Sequence, residues 1–155
     1  MDEDEPLGTG GGLGLLKGKI DETFLLTNCD ILIDADYADM VKLHKRQGNA
    51  VTIVCAMKHF TIPYGVVEME EGGSLRGFAE KPEMNYLTNT GMYLVEPDVV
   101  EHIEDGVRQG FPDIIEQCRG RGGRIGIYPV SEGSWMDMGQ LEELEKMRRR
   151  MEESR

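Results

Sequence analysis

Short apolar runs alternate along this chain with polar stretches of helical periodicity, and that alternation constrains the fold more than any other feature. Thr23-Phe24-Leu25-Leu26-Thr27-Asn28 is a short, mostly apolar run closed by Asp30, which suits a strand buried on both faces. Ala50 to Ala56 is a second, rich in β-branched residues. Thr90 to Val95 and Arg124 to Val130 read as two more. Between them, Met40, Val41 and Leu43 recur at helical spacing from Asp36 to Gln47, with Gly48 placed as a C-cap. Phe111 to Cys118 reads as a helix, and Pro97 suits the first turn of another. The stretch from Gly139 to Met151 predicts a charged amphipathic helix with Leu141, Leu144 and Met147 on one stripe. Two strand-like runs, Tyr64–Met69 and Ser74–Glu80, flank Glu70-Glu71-Gly72-Gly73 and predict a hairpin. Strands alternating with helices predict an α/β fold: a mainly parallel sheet covered on both faces, with one hairpin inserted.

A chain of 155 residues fits one ordinary domain with a real core. Its hydrophobic fraction of 39% and charged fraction of 30% are those of a soluble globular protein. No apolar run approaches the ~20 residues that span a bilayer, and the acidic Met1-Asp2-Glu3-Asp4-Glu5 start is no secretory signal. The net charge of −12 argues against a nucleic-acid backbone or an anionic membrane as partner. It also strains any phosphate site, which needs amides, a lysine or a divalent cation to reverse the local field. Three widely spaced cysteines, Cys29, Cys55 and Cys118, give neither a disulfide framework nor a CxxC clip. A reducing, cytoplasmic setting follows as the expectation.

The Gly-rich stretch from Pro6 to Gly14 is too rich in glycine for a helix or strand interior, and predicts a loop. It is no dinucleotide fingerprint, because no strand precedes it and Leu15 stands where a glycine belongs. Asp30 follows an apolar strand, and strand C-termini are where open α/β sheets bind ligands. A carboxylate there suits Mg²⁺, or equally caps a turn. Asp137, within Trp135-Met136-Asp137-Met138-Gly139, has the same two readings. Glu80-Lys81-Pro82 ends a hairpin strand on a rigid edge, where a lysine suits a phosphate and a carboxylate suits sugar hydroxyls. As a lone tripeptide it is also an ordinary solvated turn, as are Gly65 and Asn89-Thr90-Gly91. His44, His59 and His102 have no metal-ligand spacing; His44 and His102, on predicted helices, are expected at the surface.

The order of these segments is more specific than any one of them. Pro6-Leu7-Gly8-Thr9-Gly10-Gly11, Leu26-Thr27-Asn28-Cys29-Asp30, Tyr64-Gly65-Val66-Val67, Phe78-Ala79-Glu80-Lys81-Pro82, Asn89-Thr90-Gly91-Met92-Tyr93 and Trp135-Met136-Asp137-Met138-Gly139 follow one another. The series resembles the sugar-1-phosphate nucleotidyltransferases, from about Glu5 to Met147. The resemblance implies a Rossmann-like three-layer αβα domain and Mg²⁺-dependent transfer of a nucleotidyl group from a nucleoside triphosphate to a sugar 1-phosphate, releasing pyrophosphate. It further implies that Leu7, Gly8, Thr9, Gly10 and Gly11 surround the base through backbone groups. Asp30 and Asp137 would hold Mg²⁺, Gly65, Glu80 and Asn89 would line the sugar, and Lys81 would meet its phosphate. Asp30, Asp137 and Lys81 are thus the expected catalytic residues.

The family's basic GxGxRxxPxTxxxPK loop has no counterpart in this sequence. On this resemblance, residues 1–155 correspond to the C-terminal two-thirds of the domain, N-terminally truncated, and are expected to turn over little or no substrate alone. Losing one donor that stabilises developing charge costs ~10²–10³ in rate, and here a whole loop is lacking. Without the first strands, the Thr23–Asp30 strand is expected at a sheet edge, which invites a homodimer. The alternatives are a non-catalytic nucleotide- or sugar-phosphate-binding regulatory module, and an acidic interaction domain whose motifs are relics.

Overall fold

The structure, a computed structural model, describes residues 6–137. It consists of α1 (Gly8–Gly11), a 3₁₀ turn (Gly12–Leu16), β1 (Phe24–Thr27), β2 (Ile31–Ile33), α2 (Tyr37–Gln47), β3 (Val51–Thr61), β4 (Val66–Met69), β5 (Leu75–Ala79), β6 (Glu83–Val95), α3 (Pro97–Glu101), α4 (Phe111–Gly120), β7 (Ile125–Val130), a second 3₁₀ turn (Glu132–Ser134) and β8 (Trp135–Asp137). The helix expected over 139–151 lies outside the described residues.

Four strands form the central sheet in the order β1-β6-β3-β7. β6 runs antiparallel to both neighbours, while β3 and β7 are parallel. Thus β1, β3 and β7 all point one way, as strand–helix alternation requires, and only β6 runs against them. Side chains alternate across β3 and β6 between two cores. Val51, Tyr93 and Val95 pack with Val99, Phe111 and Ile114 on the α3–α4 face. Val54, Met92 and Leu94 pack with Met40 of α2 and with Ile33 on the other. Helices cover both faces, which is the three-layer arrangement.

Several elements differ from the sequence reading, each for a physical reason. The Gly-rich stretch is helical over Gly8–Leu16 despite poor propensity, because a Cβ on Gly10 or Gly11 would strike the chain it packs against. That on Gly10 would lie 2.8 Å from the Phe111 nitrogen, that on Gly11 2.5 Å from the Val107 carbonyl. Packing overrides propensity. β3 and β6 continue well past the predicted runs and pair to Thr61↔Glu83, so the β4–β5 hairpin rides on the end of a long two-stranded arm. β1 closes one edge of the sheet, as expected, pairing only with β6 among the described residues.

His44 corrects the expectation of a surface residue. One helical turn after Met40 on α2, it is fully buried. Its Nδ1 lies 2.8 Å from Thr52 Oγ1 and its Nε2 2.9 Å from Glu96 Oε1, which also accepts from Thr23 Oγ1 at 2.7 Å. Both ring nitrogens have partners, so a polar ring can occupy a core position. His102 is exposed, as expected.

Candidate functional site

A cleft of about 460 Å³ opens where β1 ends, at the C-terminal end of the three like-directed strands. Ligands bind at that end of open α/β sheets. Its floor is made by an irregularity in β6. The ladder pairs Val54 with Met92 but Cys55 with Asn89, which leaves Thr90 and Gly91 without partners on β3. Gly91 takes φ 85° there, and a Cβ on it would sit 2.6 Å from Asn28 Nδ2. Only glycine fits such a position without strain. Thr90 Oγ1 donates to the Val54 carbonyl at 2.8 Å, restoring part of the lost pairing. The bulge turns Asn89, Thr90 and Gly91 into the cleft. A glycine inside a strand-like run, here Thr90 to Val95, is the sequence signal that marks such a bulge.

Asp30 and Asp137 converge here. Asp30 lies in the turn between β1 and β2, and the β2–β8 ladder sets Ile31 opposite Asp137, so both carboxylates open on the same cleft. Two hard oxygen donors suit Mg²⁺, which keeps several waters and takes one or two carboxylates plus phosphate oxygens. Among the described residues no cluster of three or more His, Cys, Asp or Glu forms a closed metal cage, so a cation here would need its remaining ligands from water and substrate. Asn89 is also in the cleft; its Nδ2 donates to the Tyr93 hydroxyl at 2.7 Å and its Oδ1 accepts from the Gly91 amide. Burial pushes the Tyr93 phenol up, with the Asn89 hydrogen bond pulling the other way.

Of the Gly-rich segment, Thr9 reaches the cleft. Its Oγ1 accepts from the Phe111 amide at 3.3 Å and so ties α1 to the start of α4. The Gly10 and Gly11 amides donate to the Gln109 carbonyl at 3.1 and 3.2 Å. The fold thus already engages these two amides. Leu7 and Gly8 complete the same junction, Leu7 through its carbonyl, which accepts from the Gln109 amide.

Gly65, Glu80 and Lys81 are not part of the cleft lining but are gathered on the hairpin arm. A Cβ on Gly65 would meet the Phe78 ring at 2.7 Å and Glu80 Oε2 at 3.0 Å, so Gly65 and Glu80 lie together. Lys81 is the one described non-glycine residue with positive φ, at 45°. Next to it, the Ile62 amide donates to the Pro82 carbonyl at 3.1 Å and so carries the β3–β6 pairing one step beyond Thr61↔Glu83. Sequence reasoning passed over the aromatic walls of the cleft, Tyr93, Phe111 and Trp135, since core aromatics at strand or helix spacing carry no separate signal. Lys58 lies beside this wall, its Nζ 5.0 Å from the Trp135 ring centroid and 3.0 Å from Glu132 Oε1. That hydrogen bond holds the Glu132 carboxyl below its ordinary value.

The family profile described as "Nucleotidyl transferase" matches residues 2–154. The chain is 34% identical over 148 residues to the mannose-1-phosphate guanylyltransferase catalytic subunit beta of Drosophila pseudoobscura pseudoobscura, covering 89% of this chain and 38% of that one. It is likewise 34% identical over 150 residues to mannose-1-phosphate guanylyltransferase 1 of Arabidopsis thaliana, covering 89% and 40%. It therefore spans about two-fifths of the length of these relatives. The crystal structure of HddC from Yersinia pseudotuberculosis complexed with GMP-PN superposes with a TM-score of 0.64 at 18% identity, covering 94% of this chain and 63% of that one.

Proposed function

The chain belongs to the nucleotidyl transferase family, and from that premise we propose that it serves the transfer of a nucleotidyl group from a nucleoside triphosphate to a sugar 1-phosphate, with release of pyrophosphate. The observation that carries this reading is the convergence of Asp30 and Asp137 on one cleft at the strand C-termini. Two motifs 107 positions apart meet across a single β ladder. The relatives named as mannose-1-phosphate guanylyltransferases make a mannose phosphate the first acceptor to try.

In this reading Asp30 and Asp137 hold a magnesium ion, which when bound offsets the charge of the triphosphate and orients it. The side chains do the remaining work by position. Asn89, held by Tyr93 and by the Gly91 amide, offers a fixed polar edge to the sugar. Glu80 and Gly65 present a carboxylate beside bare backbone, suited to sugar hydroxyls, and Lys81 presents a cation to the sugar phosphate. Because these three sit on the arm, the proposal requires the acceptor to reach from the cleft toward the hairpin. Such chemistry needs alignment and charge neutralisation rather than a protein nucleophile.

Calorimetric titration of the chain with Mg²⁺ and a nucleoside triphosphate tests the cation site. Asp30→Asn and Asp137→Asn are each expected to weaken Mg²⁺-dependent binding by about 10-fold or more. Retained affinity in both variants refutes the assignment. A pyrophosphate-release assay over a panel of sugar phosphates and triphosphates tests the reaction itself.

A second reading, a non-catalytic binding module, is favoured by one observation: the cleft lining contains no lysine or arginine among the described residues. The two readings separate when binding heat is present but pyrophosphate is not released. The β1 edge is further proposed to pair with a second copy, because its Leu25 is 41% exposed and the strand carries no proline or charge to deter pairing. Light scattering tests this; a monodisperse monomer refutes it. No helix among the described residues is long and apolar enough to cross a membrane. Cys29, Cys55 and Cys118 are free thiols, which supports a reducing, cytoplasmic setting.

A further inference from the structure

The strands that bring Asp30 and Asp137 together are not part of the central sheet. Among the described residues β2 and β8 pair only with each other, through three residue pairs. A two-stranded ribbon this short is marginal alone, and a one-residue slip would turn every side chain to the opposite face. Something besides its own ladder must hold its register. Ile33 and Met136 supply apolar contact, both being buried; the Asp34 amide donates to the Ser134 carbonyl across the ribbon, and the Tyr37 hydroxyl ties β2 to α2 through the Ile33 carbonyl, each at 2.8 Å. β8 still needs a directed polar clamp to the rest of the fold, because apolar contact alone tolerates sliding.

Lys58 provides such a clamp. It stands on β3, opposite Tyr86 of β6 and two residues past Ala56↔Val130, the last β3–β7 pair, where the two-stranded arm leaves the central sheet. Its side chain crosses to the other sheet, where Nζ donates to Glu132 Oε1 at 3.0 Å and lies 5.0 Å from the centre of the Trp135 ring. The lysine side chain is only 28% exposed, so it is packed along most of its length. Glu132 begins the 3₁₀ turn that leads into β8, and Trp135 is the first residue of β8, two before Asp137. One cation thus grips the ribbon at two points three residues apart. A slip of β8 would break both contacts together.

We infer that Lys58 is a positioning residue for the acidic pair: it fixes the register of the β2–β8 ribbon and thereby the separation of Asp30 from Asp137. The inference rests on reading that pair as the cation site, yet its first test does not depend on any ligand. Lys58→Met keeps most of the stem and removes the charge; Lys58→Arg keeps a cation that can meet both a carboxylate and an aromatic face.

Hydrogen exchange in the ligand-free chain is the first measurement. Lys58→Met is expected to speed exchange of the amides of residues 132–137 by about 3- to 10-fold, the range for losing one part-exposed cation–π contact and one ion pair. Amides of β3 and β6 should keep their rates, and Lys58→Arg should restore the ribbon. Trp135 is the only tryptophan, so its emission reports the same change. Unchanged exchange overturns the inference, and so does a uniform rise across β3 and β6, which would mean general destabilisation. The second measurement is Mg²⁺ titration, where the Met variant should bind more weakly by a similar factor and the Arg variant near the original. A ribbon loosened with no change in Mg²⁺ affinity also overturns it. If the unaltered chain binds no Mg²⁺, the proposed function falls, and the exchange arm alone decides the role of Lys58.

Discussion

The same two strands, β3 and β6, build both ends of this molecule, and the ends are unlike. From Val51 to Ala56 and from Thr90 to Val95 they lie between helices, with Val51, Val54 and Val95 fully buried. Past the irregularity at Val54/Cys55 they run on as an arm. There Phe60 is 52% exposed and Tyr86 48%, and beyond them the hairpin presents Val67, Met69, Leu75 and Phe78 to solvent at 60–72%. The motif residues divide along the same boundary. Asp30, Asn89 and Asp137 are placed by the packed end; Gly65, Glu80 and Lys81 are carried by the arm. The difference teaches that a run of motifs in sequence can serve two mechanical roles. One group is preorganised by a core, and the other is delivered by an element whose geometry the core does not fix.

The sharpest way to break this comparison is to damage each end and compare the cost. Phe111 opens α4, lies 2% exposed, and packs its ring 4.5 Å from that of Tyr93 behind the cleft. Phe111→Ala is expected to cost about 3–5 kcal/mol in urea denaturation. A loss under 1 kcal/mol would mean that the packed end is not what holds the cleft wall. Gly91→Ala is expected to cost about 1–3 kcal/mol, because the new Cβ meets both an unfavourable φ and the Asn28 amide. It should also weaken nucleotide binding, since Asn28 and Gly91 share the cleft floor. Full stability in this variant would show that the bulge relaxes freely.

Legibility from sequence followed the same boundary. β-branched runs and the Gly48 cap located the buried halves of β3 and β6 and all of α2, because burial on both faces leaves a continuous apolar signature. The arm halves were missed: Glu83 to Asn89 carry no such pattern, and their strand character comes from pairing with Cys55–Thr61. β2 was passed over because Ile31-Leu32-Ile33 is too short to stand out without its partner β8. The acidic pair was legible as two strand-terminal aspartates, but their meeting required the β2–β8 ladder. His44 was misread because a helical histidine is usually solvated, although it lies one turn after Met40; only Thr52 and Glu96, the latter distant in sequence, make its burial tolerable. Gly10 and Gly11 also meet a demand that the sequence does not show, since a tight helix junction leaves no room for a Cβ at either.

Solution pH sharpens the comparison further, because the resolved upward shifts include three groups in the packed end. Burial raises the Cys55 and Cys118 thiols and the Tyr93 phenol. A group whose folded value is raised stays protonated in the native state while the unfolded chain releases its proton. Stability is then fully present below the ordinary thiol range and declines as pH climbs through about 8.5 and upward. Denaturation midpoints between pH 7 and 10 should fall, and the fall should be shallower in a Cys55→Ala, Cys118→Ala double variant. The Glu132 carboxyl, lowered by Lys58, acts at the other limit. Its contribution is present above the ordinary carboxylate range and is lost only as pH drops through its own lower value.

The smallest expected effect is the most discriminating about the arm. Phe78 stands opposite Val67 on the hairpin, with its ring against Gly65, and is 63% exposed. A residue that exposed has little transfer free energy to lose, so Phe78→Ser should change stability by no more than about 0.5 kcal/mol. The hairpin apolar face then has no structural reason to be apolar within the described residues. A cost above about 1.5 kcal/mol would show instead that the face is covered in solution, and the contrast between the two ends of β3 and β6 would collapse. Running the denaturation at two protein concentrations tenfold apart separates the causes: a cost that grows with concentration places a second copy on the hairpin, and one that does not places the cover within the chain itself.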